Sequence, residues 1–576
     1  MRVTTSKSKN SESFYINHAY IGKNGKSTSK VYRKLGTLKE LSEKLGTDRD
    51  GVMAWAKEQA RICTEQYKAE SEAVNVELFQ NRVIDKDTAR TFNCGYLFLQ
   101  SILNELKIDS ICRNIKNRHG YQYNLQSILS QLVYARILQP CSKRSSYAFA
   151  QTLLEPPKYS LDNIYKALSV LSEESDYIQA EVYRNSNFIK KRNTAILYYD
   201  CTNYFFEIEQ ETDFKKYGKS KEHRPNPIVG MGLFMDADGF PLAFDLYPGN
   251  QNEQLSLKPL EEKIIKDFDC SKFVFCSDSG LGSAKNKKFN NTDNRDFVIT
   301  KSLKKLKKED REIALNTAQY RKIGSDRFID LKNLDETDPE VFNSIYYKEI
   351  PLDSSLKNEL LIVTYSPKYK EYERKIRNQQ IERAEKMIGN GEKIKKSRKN
   401  PNDPARFISK VAYTETGEIA EQELYSLDEE AIRREEMYDG FYGVSTSLDV
   451  DVSEIISIND RRWQIEQCFR LMKTEFEARP VYLQREDRIR SHFLICFLAL
   501  LVYRILEQKL GNKYTAEQTL HELRRMNVCE LDGYGYIPAY TRTDFTDSLH
   551  NVFGFRTDYQ IIKKSKMRNI IHNTKS

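Results

Sequence analysis

A chain of 576 residues, 39% hydrophobic and 11% aromatic, is too long for one domain and too apolar to stay unfolded, so roughly three to five packed units are expected. Its 91 Lys and Arg against 82 Asp and Glu leave a net charge of +9, modest for this size, which points to local positive patches and favours a polyanionic partner. Ten cysteines with no C-x-x-C pair speak against a disulfide framework or structural zinc, and the start of the chain has no apolar signal segment; with the strongest apolar run, 493–503, too short to span a bilayer, a reducing cytoplasm is expected, near the nucleoid if the partner is DNA.

Residues 1–90 read as a separate α+β module. Strand-like runs over 14–21 and 29–33 flank Asn24-Gly25, a favoured hairpin turn, with Lys23 and Lys26 at its tip. Thr37 and Glu40 have capping-box spacing, so a helix is expected to begin there, and a second runs over about 50–70. A basic, Tyr-rich hairpin beside two helices suits DNA, and it equally suits a small α+β module with solvated lysines.

Residues 91–190 have helical periodicity, clearest over 126–138 and 164–171, broken at Pro140, Pro156 and Pro157, which predicts a helical domain. From 194 the period becomes that of buried strands. The run 195–199 ends at Asp200; the run 228–235 turns through 236–239 into 240–246; a helix over about 257–268 leads to a strand at 273–276, which ends at Asp278. This β-β-β-α-β order is how an RNase-H-like core begins, so 191–305 is assigned as its first part.

Residues 306–439 interrupt that core with strand-like runs at 344–347, 360–364 and 407–413 and a charged helix over about 368–388. Fourteen Lys or Arg against six Asp or Glu between 368 and 410 predict a half-buried sheet with a basic arm, most concentrated at Lys393, Lys395, Lys396, Arg398 and Lys399. The core resumes over 440–510 with a strand at 440–446, a helix at about 458–476 and an apolar helix at about 488–509; 511–576 is a C-terminal helical region with one helix at 516–525. The fold class expected is multidomain α/β: an RNase-H-like mixed sheet flanked by helices, interrupted by a β-rich insertion, with an N-terminal α+β module and a helical domain.

An Asp after a strand is ordinarily a turn or cap residue. Two neighbouring parallel strands, however, can bring Asp200 and Asp278 to one divalent ion, which would relieve the repulsion between two buried carboxylates. A helix through 458–476 places Arg462, Glu466, Phe469 and Lys473 on one stripe, within roughly 60° of each other. Glu466 can complete an oxygen cage for Mg²⁺ while Arg462 and Lys473 hold phosphates; an exposed i,i+4 Arg–Glu pair is the plain alternative.

The block Arg462-x-x-x-Glu466 followed seven residues on by Lys473 resembles the Tyr-Arg-Glu-Lys signature of insertion-sequence DDE transposases. Asp200 in Tyr-Tyr-Asp-Cys-Thr-Asn resembles that family's first catalytic Asp, and Asp278 in Val-Phe-Cys-Ser-Asp-Ser-Gly its second. The spacings are 278 − 200 = 78 and 466 − 278 = 188, the longer matching a group with a β-rich insertion before the Glu. Arg136-Ile-Leu-Gln-Pro-Cys-Ser-Lys143, Tyr247-Pro-Gly-Asn250 and Glu477-Ala-Arg-Pro-Val-Tyr482 extend the likeness over most of the chain. At the signature's Tyr position stands Asn459, so no phenolic role is carried over; neighbouring Trp463 can stack on a base.

The resemblance implies two Mg²⁺ ions, with Mn²⁺ as substitute, held by catalytic Asp200, Asp278 and Glu466, which cut double-stranded DNA at an element's inverted ends and join the 3′-hydroxyls to target DNA. It implies a homodimer on DNA, with phosphate contacts from Arg462, Arg470, Lys473 and the 393–399 arm and base contacts from 1–90 and the helical domain. Ser279, Cys201 and Cys276 lack a paired base, and His223 is the one histidine near the site in sequence. Two other readings stay open: an RNase-H-like nuclease without strand transfer, and a non-catalytic DNA-binding protein derived from a transposase.

Overall fold

The structure, a computed structural model, describes residues 1–8, 11–21, 27–71, 74–352, 355–390, 402–411 and 424–575. The chain divides into two compact units, Met1–Thr88 with Asp532–Tyr534, and Ala89–Leu531 with Gly535–Ser576.

In the first unit β1 (Arg2–Ser8), β2 (Ser11–Ile21) and β3 (Ser27–Thr37) form an antiparallel sheet, followed by α1 (Leu38–Leu45) and α2 (Arg49–Ser71). Thr37 caps α1 in a full capping box with Glu40, as its spacing predicts. Phe14 packs with Leu41, Val52 and Ala56, and Ile16 with Ala60 and Cys63, so the helices cover one face of the sheet. Strand β1 has no apolar alternation to announce it; it is held by pairing along β2, from Arg2↔Asn17 to Ser8↔Ser11. The hairpin tip at Lys23–Lys26 lies outside the described residues.

The second unit opens with β4 (Thr91–Asn93) and six helices: α3 (Tyr96–Glu105), α4 (Ile108–Arg118), α5 (Leu125–Leu138), α6 (Lys143–Ala150), α7 (Leu161–Glu173) and α8 (Ser175–Ile189). Then come β5 (Ile196–Phe205), β6 (Ile228–Asp236), β7 (Pro241–Pro248), α9 (Gln254–Asp267), β8 (Phe273–Ser277), α10 (Ala284–Phe289) and β9 (Arg295–Thr300). The turn between β6 and β7 is closed by Gly239 at φ +85°, a left-handed conformation that glycine takes without strain.

The 306–439 stretch contributes α11 (Lys308–Leu315), β10 (Tyr320–Lys322), β11 (Phe328–Ile329), α12 (Pro339–Phe342), β12 (Tyr346–Pro351), β13 (Leu360–Tyr365), α13 (Pro367–Gly389), β14 (Ile408–Val411), β15 (Leu424–Leu427) and α14 (Glu429–Glu436). After it come β16 (Phe441–Thr446), α15 (Val452–Asp460), α16 (Trp463–Thr474) and α17 (Glu486–Lys509). Ten strands join in one mixed sheet, in the order β11-β10-β12-β13-β16-β9-β8-β5-β6-β7. The strands β10 to β13 thus extend the central sheet, because β13 pairs antiparallel with β16 along its whole length. Among the described strands of this stretch, β14 and β15 stand apart, paired antiparallel with each other against α13 and α14 through Ala384, Phe407, Ile408 and Ile432.

The single helix expected over 458–476 is two helices. It breaks at Arg461 and Arg462, where the Arg461 N–H turns back to the Asn459 and Ser457 carbonyls. The apolar run at 493–503 lies inside α17, a 24-residue helix long and apolar enough to cross a membrane by length and composition, yet 94% of its most apolar window is buried within the protein. It forms the axis of the helical layer, against α3, α5 and α7. The tail holds more than the one helix expected: α18 (Ala516–Arg525), the β17 (Asn527–Leu531) and β18 (Gly535–Pro538) hairpin, α19 (Asp544–Phe553) and α20 (Lys564–Asn573), with β17 also pairing with β4 more than 430 positions away.

A buried ion pair fastens the helical layer to the sheet. Arg192 donates from Nε to Asp236, from Nη1 to the Ser186 hydroxyl at 2.9 Å and from Nη2 to the Pro241 carbonyl at 3.0 Å. Asp236 also accepts from the Phe240 N–H at 2.9 Å, so one carboxylate closes the β6–β7 turn and neutralises the arginine. Asp236→Ala would strand a buried guanidinium at a cost of about 3–5 kcal/mol. A clearly lower urea midpoint is expected for this variant, and an unchanged midpoint would contradict the role given to the pair.

Candidate active site

Register places the two aspartates before any side-chain contact is considered. Strands β5, β8 and β9 run parallel, with Tyr198, Cys276 and Val298 level across them. Two positions further along stand Asp200 and Thr300, on the face that Tyr198 shares because side chains alternate with period two, and Asp278, the first residue past the end of β8. Neighbouring strands lie about 4.8 Å apart, so the two carboxylates emerge side by side at one edge of the sheet. Tyr198 donates from Oη to the Ile458 carbonyl at 3.1 Å, which fixes α15 over this face. On the other face Gly232 makes room for Tyr199: a Cβ there would lie 2.2 Å from the Tyr199 hydroxyl, which bonds Ser256 at 2.7 Å.

Each aspartate uses one oxygen on the backbone. Asp200 Oδ1 accepts from the Cys201 N–H at 2.7 Å, and Asp278 Oδ1 from the N–H groups of Gly280 at 3.0 Å and Leu281 at 3.2 Å. Neither Oδ2 has a hydrogen bond among the described residues. Burial pushes the Asp200 carboxyl up to about 6; Asp278 adds to the push, while Lys221, the Cys201 N–H and Arg462 oppose it. Lys221 reaches back from the β5–β6 loop, donating to the Cys201 carbonyl and pairing with Glu253 at 3.5 Å. Burial pulls the Lys221 ammonium down, but Asp200 and Glu253 outweigh it and hold the ammonium above its ordinary value.

Arg462 lies at the same edge, donating from Nη1 to the Thr300 hydroxyl. Glu466 follows about one helical turn on, exposed and without a hydrogen bond or ion pair among the described residues. Lys473 is bound: it pairs with Glu222 at 3.2 Å, and Glu222 also takes Arg479 at 2.9 Å. Phe469, expected on one stripe with Arg462, Glu466 and Lys473, is buried at 6% exposure in the main core, because α16 turns Ile465, Cys468, Phe469 and Met472 onto the sheet. Trp463 is 57% exposed and Arg470 is exposed without an ion pair. Lys393, Lys395, Lys396, Arg398 and Lys399 lie outside the described residues.

Asn459 is buried and engaged. Its amide oxygen accepts from Thr300 Oγ1 at 3.2 Å, and its Nδ2 donates to the Tyr442 hydroxyl at 3.4 Å. The phenol missing at 459 thus has a neighbour on β16, in a cleft of about 470 Å³ lined by Tyr369, Tyr442, Arg462, Trp463 and Glu466. Lys221, Glu222, Thr300 and Tyr442 are site residues that the sequence reading does not include; the Lys-Glu pair beside His223, in the loop after the Asp200 strand, is their one local signal. The motif ending at Lys143 also gains a role, since buried Arg136 donates to the carbonyls of Phe476 at 3.0 Å and Glu477 at 3.3 Å, just past α16.

Among the described residues, one group of three metal-type ligands has all its donor atoms within 4.8 Å: Asp547, His550 and Asp558. Its carboxylates are already taken by Arg542 and Arg556, and the Thr557 N–H donates to His550 Nε2, which leaves the ring proton on Nδ1. That group is a structural knot. Asp200, Asp278 and Glu466 are not drawn together so tightly. Still, two level carboxylates with a free oxygen each, one raised by burial and further by the other's charge, are the hard oxygen donors that a divalent cation takes.

Residues 204–502 match the family described as Transposase DDE domain, which is 299 of 576 residues and begins four positions after Asp200. The chain belongs to the DDE transposase family. No curated protein matches the sequence of this transposase. Among solved structures it is similar to the piggyBac transposase in a cryo-EM synaptic complex with hairpin DNA, at 10% identity, 84% coverage of each chain and a TM-score of 0.35, a likeness too slight to carry fold or function.

The raised Asp200 pKa has a definite sign. A carboxyl raised from 3.8 to about 6 contributes stability that is complete below the lower value and is lost as pH rises through the upper one. Asp200→Asn in chelator, free of divalent cations, should therefore match the parent's melting temperature near about pH 4 and exceed it by roughly 1–3 °C near about pH 8. Equal melting curves at both values would contradict the burial assigned to Asp200.

Proposed function

We propose that this DDE transposase cleaves double-stranded DNA at the inverted ends of an insertion sequence and joins the exposed 3′-hydroxyls to target DNA, acting as a homodimer. The observation that carries the reading is the level placement of Asp200 and Asp278 on neighbouring parallel strands, with unbonded Glu466 one turn beyond Arg462. The strand sequence β7-β6-β5-β8-β9, antiparallel through β5 and parallel after it, supports an RNase-H-like core.

Asp200 and Asp278 would hold divalent cations through their free oxygens, and Glu466 would swing in without breaking any bond. Bound there, a pair of Mg²⁺ ions, or Mn²⁺, supplies a nucleophile at neutral pH and stabilises the attacking and leaving oxygens of an in-line displacement. The chain's own part is electrostatic. Arg462, anchored on Thr300, faces a phosphate beside the carboxylates; Arg470 and Trp463 stay free for backbone and base. Lys473 and Lys221, now paired with Glu222 and Glu253, are cations that a phosphate could draw away. The 393–399 arm adds basic charge in sequence for the flanking duplex.

Asp200→Asn, Asp278→Asn and Glu466→Gln should each reduce cleavage of an element-end duplex by at least about 10³-fold while leaving duplex binding within a few-fold of the parent. Full cleavage by any of the three would remove it from the site. Joining of a pre-cut end to a second duplex in Mg²⁺ is the outcome that separates a transposase from a simple nuclease.

A further inference from the structure

The stretch that forms the sheet of the first unit concentrates positive charge, which the acidic residues after it partly offset. Residues 1–37 hold eight Lys or Arg and a single Glu, 8 − 1 = +7, against +9 for all 576 residues. The one acid, Glu12, is turned to the helical side, where Arg49 pairs with it at 2.8 Å and Lys7 lies 3.9 Å away. The opposite face of the sheet therefore carries no acid.

Register gives the composition of that open face. Phe14 and Ile16 point to the helices, so their neighbours on β2 point away. One cross-strand row is Thr4, Tyr15 and Lys34; the next is Arg2, Asn17 and Val31. None of these six belongs to a core cluster, and Tyr15, Lys34 and Arg2 have no side-chain hydrogen bond or ion pair among the described residues. The Asn17 amide oxygen is buried with no hydrogen-bond partner among the described residues, which leaves the amide nitrogen as the group this side chain offers. An open sheet face in an ordinary small module is expected to mix both signs of charge; these two rows present two cations, two hydroxyls, an amide and Val31, with no acid.

Size and chemistry agree on a partner. Three strands about 4.8 Å apart make a face roughly 10 Å across, against a B-DNA major groove about 12 Å wide. The paired length of β1 and β2 is about 20 Å, roughly six base pairs. We propose that the open face of the β1–β2–β3 sheet enters the major groove of the DNA substrate and reads its sequence, with Asn17 and Tyr15 on base edges and Arg2 and Lys34 on the flanking phosphates. The assignment rests on the transposase reading and names its base-reading surface. The Asn17 amide N–H can donate to a purine N7, and a Tyr ring can meet a thymine methyl while its hydroxyl bonds a neighbour.

The full-length protein is used to select from a duplex library with about 20 randomised base pairs, and affinities are then measured for the selected duplex and a scrambled one across a salt series. Tyr15→Ala and Asn17→Ala should each weaken binding to the selected duplex about tenfold and leave the scrambled duplex unchanged, which also shows that the variants are folded. Arg2→Ala and Lys34→Ala should weaken both duplexes and each lower the salt slope by about one. Lys44→Ala, the same charge removed from the exposed end of α1, should change neither.

Wild-type preference in the Tyr15 and Asn17 variants, or an effect of Lys44→Ala equal to that of Lys34→Ala, would overturn the assignment. Should the sheet variants bind normally while the parent still cleaves an element end, the sheet proposal fails and the transposase reading stands. A parent that binds neither duplex would sink both.

Discussion

Two like charges held side by side by a β-sheet are the constraint around which the rest of this structure is arranged. Asp200 and Asp278 stand level because β5 and β8 are parallel neighbours, Asp200 within its strand and Asp278 held at the end of β8 by the Gly280 and Leu281 N–H groups. Their repulsion, sharpened by the burial of Asp200, is met from three directions by Lys221, Arg462 and backbone N–H groups. Such an edge is poorly suited to stability and well suited to collecting a cation and a phosphate.

The surrounding architecture keeps that edge in place and leaves its third member free. Arg136 binds the carbonyls just after α16, Arg192 and Asp236 lock the helical layer to the β6–β7 turn, and α17 supplies the apolar axis behind both. Against this rigid background Glu466 makes no hydrogen bond or ion pair among the described residues, and Lys473 and Lys221 are held by acids that are themselves partly exposed. Rigid strands with movable cations around them provide positioning first and charge second, the order required when DNA must enter before any chemistry.

Much of this was legible in the residues, and the exceptions share a cause. Short apolar runs ending in Asp200 and Asp278 announce strand ends, and the Arg462–Glu466–Lys473 spacing announces a polar helix face. Local chemistry also fixed the Thr37 cap and the Gly239 turn. What stayed hidden depends on partners remote in sequence. The Thr300 and Tyr442 hydroxyls matter only because β9 and β16 pair across the insertion, and β1 is a strand only because β2 lies beside it. The angle of Phe469 on the helix is close to that of Glu466, which groups the two on one stripe, but the sheet beneath α16 buries the ring and leaves the carboxylate in solvent. The insertion's strands joined the main sheet for a similar reason, since pairing of β13 with β16 cannot be read from either strand alone.

The most direct test of the shared-ion account is anomalous scattering from crystals grown with Mn²⁺, with data collected on both sides of the manganese absorption edge. The account predicts manganese within bonding distance of the free oxygens of Asp200 and Asp278, with the Glu466 carboxylate rotated into the same cage. Manganese absent from that edge of the sheet at saturating concentration, or bound there with Glu466 still pointing into solvent, would contradict it.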